Sequence, residues 1–447
     1  MQRSAGGERI EPIFVEHLRR ADLCTSASPT SSELKRARFG EPQSITKERL
    51  WQPKWGSPET KGPCFEKSEF VIRGEKREMC VARSTKAIVH LGAIAHNVAQ
   101  IRKRIGSGRE VMAVVKANGY GHGAVEVSLA ALNGGANSLG VAVPEEGEEL
   151  RKAGIDVPVT VLGLIQPEEA YKVVDFSLEQ TLCSLEVAEA LNQIASNEGT
   201  VVNVHIKIDT GMGRVGVQPI DALAFVRMIG RFNHLNLKGI FSHFSCADEV
   251  DKTFAKKQVE IFDGLLREME VSGVKIPKRH MANSAAILDL PESYYDLVRP
   301  GIMIYGLYPS AEVSHSVELK PAMTFMTKVA FVKKVPAGSS ISYGRTFVTE
   351  KETHVATLPV GYADGYSQLL SGRGEVLIKG YRAPLIGRVC MDMCMVDVSG
   401  VDNVMPGDEV ILFGEGLPVD EVAEKIGTIN YEVVCGVGNR VPRVYVS

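Results

Sequence analysis

The sequence lacks any long apolar run. Its 447 residues contain no stretch near the roughly 18 apolar residues that a membrane-spanning helix needs. The first ten residues also lack the apolar core of a secretory signal. The formal net charge is only −3, so no excess of one sign favours nucleic acid or an anionic membrane as partner. With 44% apolar and 23% charged residues, the composition predicts a soluble globular protein of the cytoplasm.

Paired cysteines are also missing. The eight cysteines are scattered along the chain and include no CxxC motif. Cys390 and Cys394 are four residues apart, but no second pair completes a metal-ligand set. The spacing predicts reduced thiols in a reducing compartment and no metal site.

Regular apolar periodicity is absent from residues 1–83, which are rich in Ser, Pro, Glu, Lys and Arg. This composition predicts a largely disordered N-terminal extension. Met79 lies just before the periodic region and is a candidate start of translation. Because the extension has too little apolar pattern to pack, we expect the rest of the chain to function without it.

From residue 84, apolar strand-like runs alternate with helical segments. The runs include VMAVVKA (111–117) and VNVHIKID (202–209), and helical spacing recurs over 186–199 and 251–270. Continuous apolar strands separated by helices indicate a parallel sheet covered on both faces. About eight such units over residues 84–310 predict a closed (β/α)8 barrel. A doubly wound open sheet is the alternative, but no GxGxxG marks its first turn.

After about residue 310 the helical spacing nearly stops. Short strand-like runs with Gly and Pro turns follow, such as HVATLPVG and DEVILFG. This change predicts a second, mostly β domain over residues 311–447.

The segment AVVKANGYGHG (113–123) places Lys116 at the C-terminal end of an apolar strand, before a Gly-rich turn. Active sites of barrels collect at this end. Partial burial there lowers the pKa of a lysine amine, and a neutral amine can form a Schiff base. The pattern indicates a nucleophilic lysine, with a surface lysine at a strand end as the alternative.

Other motifs follow later strands. Arg214 in KIDTGMGRVG lies between glycines that allow close backbone approach, and arginine suits a carboxylate or phenolate oxygen. His243 ends the strand in FSHFS. A solvated arginine and a structural histidine are the simpler interpretations of these two residues.

The late motifs HMANSAA and VRPGIMIYG indicate a phosphate site. Ser284, Gly301 and Ile302 lie on the late loops, where barrels commonly bind phosphate through backbone N–H groups. Arg299, on the strand before, is placed to reach into the barrel. In the second domain, tyrosines recur at positions 343, 362, 366 and 431. The simpler interpretation is a buried tyrosine with a hydrogen-bonded hydroxyl. The alternative is a tyrosine whose pKa is lowered by nearby cations, so that it can act as a base.

Taken in order, AVVKANGYGHG, IDTGMGR, HMANSAA, VRPGIMIYG and GRVCMDM resemble the motifs of the alanine racemase family, across nearly all of residues 84–447. The resemblance implies an isomerase with a (β/α)8 barrel that binds pyridoxal 5'-phosphate (PLP) and a C-terminal β domain that includes the first strand, residues 85–91. It also implies a head-to-tail homodimer with shared active sites. The implied reaction interconverts L-alanine and D-alanine, supplying D-alanine for cell-wall peptidoglycan.

The resemblance implies two catalytic bases. Lys116 carries PLP as a Schiff base and serves D-alanine, and Tyr343 of the partner subunit serves L-alanine. Racemisation needs such bases on opposite faces of a planar carbanion, and PLP supplies the electron sink. Arg299 faces the pyridine nitrogen, keeps it unprotonated and suppresses transamination, while His280 supports Arg299.

The remaining roles also come from the resemblance. Cofactor contacts are expected from Tyr120, His243, Ser284, Gly301, Ile302 and Tyr431. Arg214 and the backbone of Met391 match the substrate carboxylate site. Lys207 matches a lysine that is often carbamylated, and a carbamate would give Arg214 an anionic partner. Further supporting positions are Asn283, Tyr362, Cys390 and Asp392.

The departures from the family pattern are small. Gly119 stands where alanine is usual, and GVGN replaces the usual polar pair before RVPR. One alternative is a racemase of another amino acid such as serine or lysine, since one methyl group changes discrimination by only about 1–3 kcal/mol. A decarboxylase would need a different C-terminal signature. A non-enzymatic PLP-binding barrel would resemble the first domain alone.

Overall fold

The structure, a computed structural model, describes residues 69–72, 75–78 and 83–447. Strands β1 (Glu69–Ile72) and β2 (Glu75–Glu78) pair as an antiparallel hairpin within the predicted extension. Arg83 is also described, and the rest of the extension, including Met79, lies outside the described residues. Its disorder therefore stays a prediction.

The described cysteines are free thiols, whereas Cys24, Cys64 and Cys80 lie outside the described residues. Across the described ranges, no helix is both long and apolar enough to cross a membrane.

The packed core begins with strand β3 (Lys86–His90) and helix α1 (Leu91–Ile105). Helix α1 forms because Ile94, Val98 and Ile101 recur at helical spacing and bury one face. Its last turn is basic, which suits the negative end of the helix dipole. The helix ends at Gly106, whose φ of 77° favours glycine.

Eight parallel strands form the predicted barrel, and the prediction of this fold is confirmed. They are β4 (Glu110–Val114), β5 (Ser138–Val141), β6 (Val159–Val161), β7 (Glu179–Leu182), β8 (Val202–Lys207), β9 (Leu235–Phe241), β10 (Lys278–His280) and β11 (Leu297–Val298). Their order is β10-β9-β8-β7-β6-β5-β4-β11. Backbone hydrogen bonds close the remaining gap: the Asp296 amide donates to Arg279 O (3.0 Å), and the Arg299 amide donates to Ala282 O (2.9 Å).

Helices and turns connect these strands. They are α2 (Lys116–Tyr120), α3 (Ala124–Asn133), α4 (Pro144–Lys152), α5 (Ala170–Asp175), α6 (Leu185–Asn197), α7 (Pro219–Ile229), α8 (Thr253–Val271) and α9 (Ser284–Asp289), with 3-10 turns at Pro167–Glu169, Pro291–Ser293 and Ile302–Tyr305. Every residue of β5, β6 and β7 is buried, as expected for a parallel sheet covered by helices.

The C-terminal domain is mostly β. Its strands are β12 (Met323–Lys328), β13 (Phe331–Val335), β14 (Ser340–Ile341), β15 (Phe347–Val348), β16 (Thr353–Leu358), β17 (Glu375–Ile378), β18 (Tyr381–Pro384), β19 (Cys394–Asp397), β20 (Glu409–Phe413) and β21 (Arg443–Val446). A six-stranded sheet has the order β18-β17-β20-β12-β3-β21, so β3 lies in this domain. Strands β13, β16 and β19 form a second sheet, and β14 pairs with β15.

The β domain also contains helices α10 (Val419–Ile426) and α11 (Asn430–Cys435). Short 3-10 turns lie at Tyr343–Arg345, Tyr362–Asp364 and Gln368–Leu370. Neither helix was predicted, because α11 has only six residues and α10 only eight, too few to establish a period.

A buried asparagine joins α1 to the segment that connects the two domains. Asn97 is fully buried; its Nδ2 donates to Ile304 O (3.1 Å) and Lys320 O (2.9 Å), and its Oδ1 accepts from Lys320 N (2.8 Å). Gly306 allows this crossing, because a Cβ there would lie 1.8 Å from Lys320 O. The connection between the domains is therefore held by side-chain–backbone hydrogen bonds.

We expect Asn97→Ala to lower the free energy of unfolding by about 2–4 kcal/mol, because it leaves buried backbone groups unpaired. Urea unfolding measures the loss. The control is Asn197→Ala at the exposed end of α6, which should change stability by less than about 0.5 kcal/mol. Equal losses in the two variants would contradict a structural role for the Asn97 contacts.

Candidate active site

The chemically active side chains of the barrel stand where its strands end. Lys116 lies two residues after β4, Lys207 is the last residue of β8, and His243 lies two residues after β9. Arg299 directly follows β11, and Ser284 opens α9 after β10. The strand ends thus bring together residues that are far apart in the sequence, as in other barrels.

A pocket of about 600 Å³ opens at this end. Most of the predicted site residues line it: Lys116, Tyr120, Lys207, Arg214, His243, Asn283, Ser284, Arg299, Gly301, Ile302 and Tyr431. His280 lies behind the wall, in contact with Arg299. The lining residues share one pocket, and their functional roles stay predictions.

Lys116 begins a turn of unusual backbone. Ala117, Asn118 and Tyr120 have φ of 53°, 52° and 50°, in the left-handed region that is strained for residues other than glycine. The Glu146 carboxylate accepts from the amides of Ala117 (2.6 Å) and Ala142 (2.7 Å), and so ties this turn to the end of β5.

Helix α11 of the β domain packs against the same turn. At Gly121 a Cβ would lie 2.2 Å from Val434 O, so the two backbones meet closely there. Tyr431 and Cys435, on α11, line the pocket. The β domain therefore completes the wall beside Lys116.

The pocket is strongly cationic. Burial, with the charge of Arg214, lowers the pKa of Lys116. Burial, with the charges of Arg299 and Arg214, lowers the pKa of Lys207 to about 8. The amine of Lys116 forms no hydrogen bond or ion pair within the part of the chain that the structure describes. Such a site favours anions and holds two amines with lowered pKa values, of which Lys116 has no partner among the described residues.

A cradle for an anion lies beside the lysine turn. Ser284 Oγ accepts from the amides of Gly301 (3.0 Å) and Met303 (3.4 Å). A Cβ at Gly301 would lie 2.6 Å from Tyr120 Oη, so only glycine leaves the space open. Two hydroxyls and the Gly301 backbone therefore meet at one point, a donor set that suits phosphate.

Arg299 crosses the floor of the pocket. Its Nη2 donates to Ser242 O (2.7 Å), Met281 O (3.2 Å) and His243 Nδ1 (3.3 Å). Burial lowers its pKa to about 9, so it remains protonated at neutral pH. The pKa of His243 is well below its usual value because of burial and the charge of Arg299, so this imidazole is neutral.

The other predicted residues, namely Tyr343, Tyr362, Cys390, Met391 and Asp392, do not line this pocket of the single chain. They lie together on the β domain, and we call them the Tyr343 surface. Tyr362 N donates to Cys390 O (3.1 Å), and Ser342 Oγ donates to Arg388 O (2.7 Å). Tyr343 is 71% exposed and Met391 is 53% exposed. One chain thus holds the predicted residues in two groups.

The two domains match two family models. Residues 89–309 match the alanine racemase N-terminal domain, and residues 322–445 match the alanine racemase C-terminal domain. An alanine racemase of Desulforamulus reducens is 50% identical over 364 residues, which cover 81% of this chain and 98% of that protein. An alanine racemase of Desulfovibrio desulfuricans is 47% identical over 366 residues, which cover 82% of this chain and 99% of that protein.

The chain belongs to the alanine racemase family.

Solved structures of alanine racemases have the same fold. The enzyme of Clostridium difficile 630 aligns with a TM-score of 0.79 and 38% identity, covering 82% of this chain and 97% of that one. That of Streptomyces lavendulae, a D-cycloserine producer, aligns with a TM-score of 0.78 and 38% identity, covering 82% and 98%. Alanine racemase of Bacillus anthracis with bound L-Ala-P aligns with a TM-score of 0.78 and 37% identity, and the alignment covers 83% of this chain and 96% of that one.

Four residues connected to this site were not predicted, and of these only Cys435 lines the pocket itself. Glu146 and Cys435 act next to Lys116, and His205 and Glu179 lie beneath Arg299. His205 carried a usable signal, because it precedes Lys207 by two residues in one strand and must face the same side. Glu146 and Cys435 carried none, because their helices meet the lysine turn only in three dimensions.

We expect Glu146→Ala to weaken the binding of PLP, the cofactor that the sequence resemblance implies, about 10-fold, because the strained turn of Lys116 loses its carboxylate tether and two amides lose a charged acceptor. Titration of the cofactor-free protein with PLP, followed by visible absorbance, measures the affinity. The control is Glu145→Ala, which removes the adjacent carboxylate and its exposed contact with Lys172. Equal affinities in the two variants would show that the tether does not matter.

Proposed function

We propose that this protein is an alanine racemase that uses PLP to interconvert L-alanine and D-alanine, and so supplies D-alanine for peptidoglycan. The observation that carries the proposal is the amine of Lys116, which lies unpaired among the described residues in a pocket with Lys207, Arg214 and Arg299. A cationic pocket attracts both a phosphorylated cofactor and an amino-acid carboxylate. A readily deprotonated amine supplies the base.

The residues present fit PLP. Ser284, Tyr120 and the Gly301 backbone would hold its phosphate, Arg299 would face its ring nitrogen, and Lys116 would hold its aldehyde carbon. When bound, PLP withdraws electrons from the substrate Cα and acidifies its proton. Because Arg299 is already a protonated donor, we infer that it keeps the ring nitrogen unprotonated.

Lys116 and Arg214 act on the substrate. Arg214 lines the open side of the pocket, where its guanidinium can bind the carboxylate of an amino acid. Lys116 Nζ accepts the proton of Cα when its amine is neutral, and donates a proton when it is charged. One base on one face exchanges protons with retention, so racemisation needs a second base on the other face.

The tyrosines of the pocket are poor candidates for that second base. Burial raises the pKa of Tyr120 and of Tyr431, so both hydroxyls keep their protons at neutral pH. Tyr343 is exposed on the β domain instead. We therefore propose a homodimer in which the Tyr343 surface of one subunit covers the pocket of the other, and Tyr343 supplies the second base.

A small substrate suits a pocket that is covered by the Tyr343 surface of the partner subunit. The same surface carries Met391, whose backbone would contact the substrate carboxylate. A non-enzymatic barrel protein is not favoured, because the C-terminal model matches as well. Assays with alanine, serine and lysine test the substrate directly. The cytoplasmic location stays a prediction from composition.

The shared site predicts complementation between two inactive chains. In a heterodimer of Lys116→Ala and Tyr343→Ala chains, one site has both defects and the other is intact. We expect about half of the parent activity, because one of two symmetric sites is whole. The experiment co-expresses two differently tagged chains, purifies the doubly tagged species and measures alanine racemisation.

Each homodimeric variant serves as a control and should be nearly inactive. A heterodimer that is folded and loaded with PLP but remains at the level of these controls would refute the shared site. Absence of alanine racemisation by the parent protein would refute the proposed function itself.

We also expect Lys207 to react with CO₂, as its low pKa and cationic neighbours suggest. The neutral Nζ bonds to the carbon of CO₂ and releases one proton, which replaces a cation beside Arg214 by a carbamate anion. Because the pKa of Lys207 is about 8, the neutral amine and hence the carbamate should increase as pH rises from 7 to 9.

Carbon-13 NMR of the protein in labelled bicarbonate measures the carbamate. The signal should disappear in Lys207→Gln and persist in Lys238→Gln, a control on the neighbouring strand β9. A spectrum without a carbamate signal at pH 9 would contradict the modification.

A further inference from the structure

Four polar side chains form a continuous hydrogen-bonded relay inside the barrel, from Arg299 to Glu179. Arg299 Nη1 donates to His280 Nδ1 (2.9 Å). His280 Nε2 lies 3.0 Å from His205 Nδ1, and His205 Nε2 lies 3.1 Å from Glu179 Oε2. All four side chains are buried. We call them the Arg299 relay.

The relay connects the two ends of the barrel. Arg299 lines the pocket at the C-terminal ends of the strands. Glu179 is the first residue of β7, and it lines a groove of about 410 Å³ with Asn203, Pro158 and Ser177. The carboxylate therefore lies away from the pocket, and within the described part of the chain it is connected to Arg299 through the two imidazoles.

The chemistry of the two ends allows only one arrangement of protons. A guanidinium has no acceptor, so His280 Nδ1 must accept and its Nε2 must carry the hydrogen. His280 Nε2–H then donates to His205 Nδ1, and His205 Nε2–H donates to Glu179. An ionised carboxylate has no proton to donate, so it requires the same Nε2–H tautomer of both rings.

Glu179 is held in the form that this arrangement needs. Burial alone would raise its pKa, but the hydrogen bond and electrostatic interaction with His205, the hydrogen bond from Thr160 and the charge of Lys238 together lower the pKa. Thr160 Oγ1 donates to Glu179 Oε2 (2.9 Å), and Asn203 Nδ2 donates to Oε1 (3.3 Å). Burial and the charge of Arg299 hold the pKa of His280 well below its usual value, so its ring is neutral.

The space for the relay is also built into the sheet. Gly239 on β9 faces His205, and a Cβ at this position would lie 2.8 Å from His205 Nδ1. The rings of Phe241 and His280 stack at 4.7 Å with an angle of 8° between their planes, which fixes the second imidazole. The relay is thus a packed element rather than a set of chance contacts.

We propose that Glu179 is a positioning residue for Arg299, because it fixes the tautomers of His205 and His280 and so makes His280 present a lone pair to the guanidinium. Without the carboxylate, His205 has no acceptor for its Nε2–H, and the opposite tautomers become available. His280 would then present an N–H to an N–H of Arg299, and the guanidinium would move. The consequence for catalysis rests on the proposed function, in which Arg299 faces the cofactor ring.

The first test reads the tautomers directly. Nitrogen-15 NMR of the histidine-labelled full chain, as purified, distinguishes a protonated from an unprotonated ring nitrogen. We expect Nε2–H forms for both His205 and His280 in the parent. In Glu179→Leu we expect a mixture of tautomers at His280. The control is Thr160→Val, which removes a neighbour of Glu179 on β6 but leaves the acceptor in place.

A His280 that keeps its Nε2–H form in Glu179→Leu would overturn the proposal. A change in Thr160→Val as large as that in Glu179→Leu would also overturn it, because any disturbance of the interior would then suffice. Neither result depends on racemisation, so the NMR test decides the tautomers even if the protein does not racemise alanine. A lack of alanine racemisation would refute the proposed function and leave the tautomer assignment unaffected.

The second test asks whether the relay acts through Arg299. We measure, in the PLP-loaded enzyme, the fraction of turnovers that end in transamination, where the amino group stays on the cofactor and pyruvate leaves. We expect Glu179→Leu to raise this fraction roughly 10-fold, the effect of a lost hydrogen bond to a charged group. In an Arg299→Lys background the same change should have no further effect.

His205→Phe cuts the relay at the next residue and keeps the test decisive if Glu179→Leu does not fold. It should raise the transamination fraction in the parent background and not in Arg299→Lys. Equal, additive effects in both backgrounds would show that Glu179 and His205 act on the barrel in general, and would overturn the relay.

Discussion

The guanidinium of Arg299 lies inside the barrel, and much of the polar interior is arranged around its charge. Burial of an unpaired cation is costly, so the charge must be met by acceptors. Among the described residues no carboxylate touches it; two backbone carbonyls and the imidazoles of His243 and His280 do. The nearest compensating anion in the relay is Glu179, two imidazoles away. A cation held in this way stays a donor toward the pocket, and this is the property that the proposed reaction needs.

The lysine turn depends on the second domain. Its left-handed backbone is held by Glu146 from the barrel and by α11 from the β domain. Because α11 also contributes Tyr431 and Cys435 to the pocket, the pocket of this chain is complete only when the β domain is docked. The buried contacts of Asn97 keep the segment between the domains in place. A loss of domain docking should therefore appear as a loss of the site and not only of stability.

Burial, together with the charges of the pocket, explains why the pKa values of its amines are lower than those of surface lysines. Lys116, Lys207, Arg214 and Arg299 line one cavity; the charge of Arg214 lowers the pKa of Lys116, and the charges of Arg299 and Arg214 lower the pKa of Lys207. Bound anions relieve this repulsion, so cofactor phosphate, substrate carboxylate and a carbamate at Lys207 would each stabilise the pocket. The Tyr343 surface has the opposite character, since it is exposed and makes no contribution to the pocket of its own chain.

By itself, the sequence determined the barrel, the β character of the second domain and the candidate residues of the site. Apolar strands alternating with helices led to the barrel, and the motif residues that follow the strands, such as Lys116 and Ser284, led to the pocket, because strand ends in a barrel share one face. Even His205 was within reach, since it lies two residues before Lys207 in the same strand and therefore faces the same side. Only the tertiary structure decided which residues far apart in the sequence contact each other. These contacts are Glu146 with the lysine turn, α11 with Gly121, and Glu179 with His205 of the Arg299 relay. Those contacts join strands and helices that no local period connects, and the direction of each hydrogen bond depends on which atoms face each other after packing. The structure also showed that Tyr343 lies outside the pocket of its own chain, because side-chain chemistry identifies a base but only the fold decides which site it can reach.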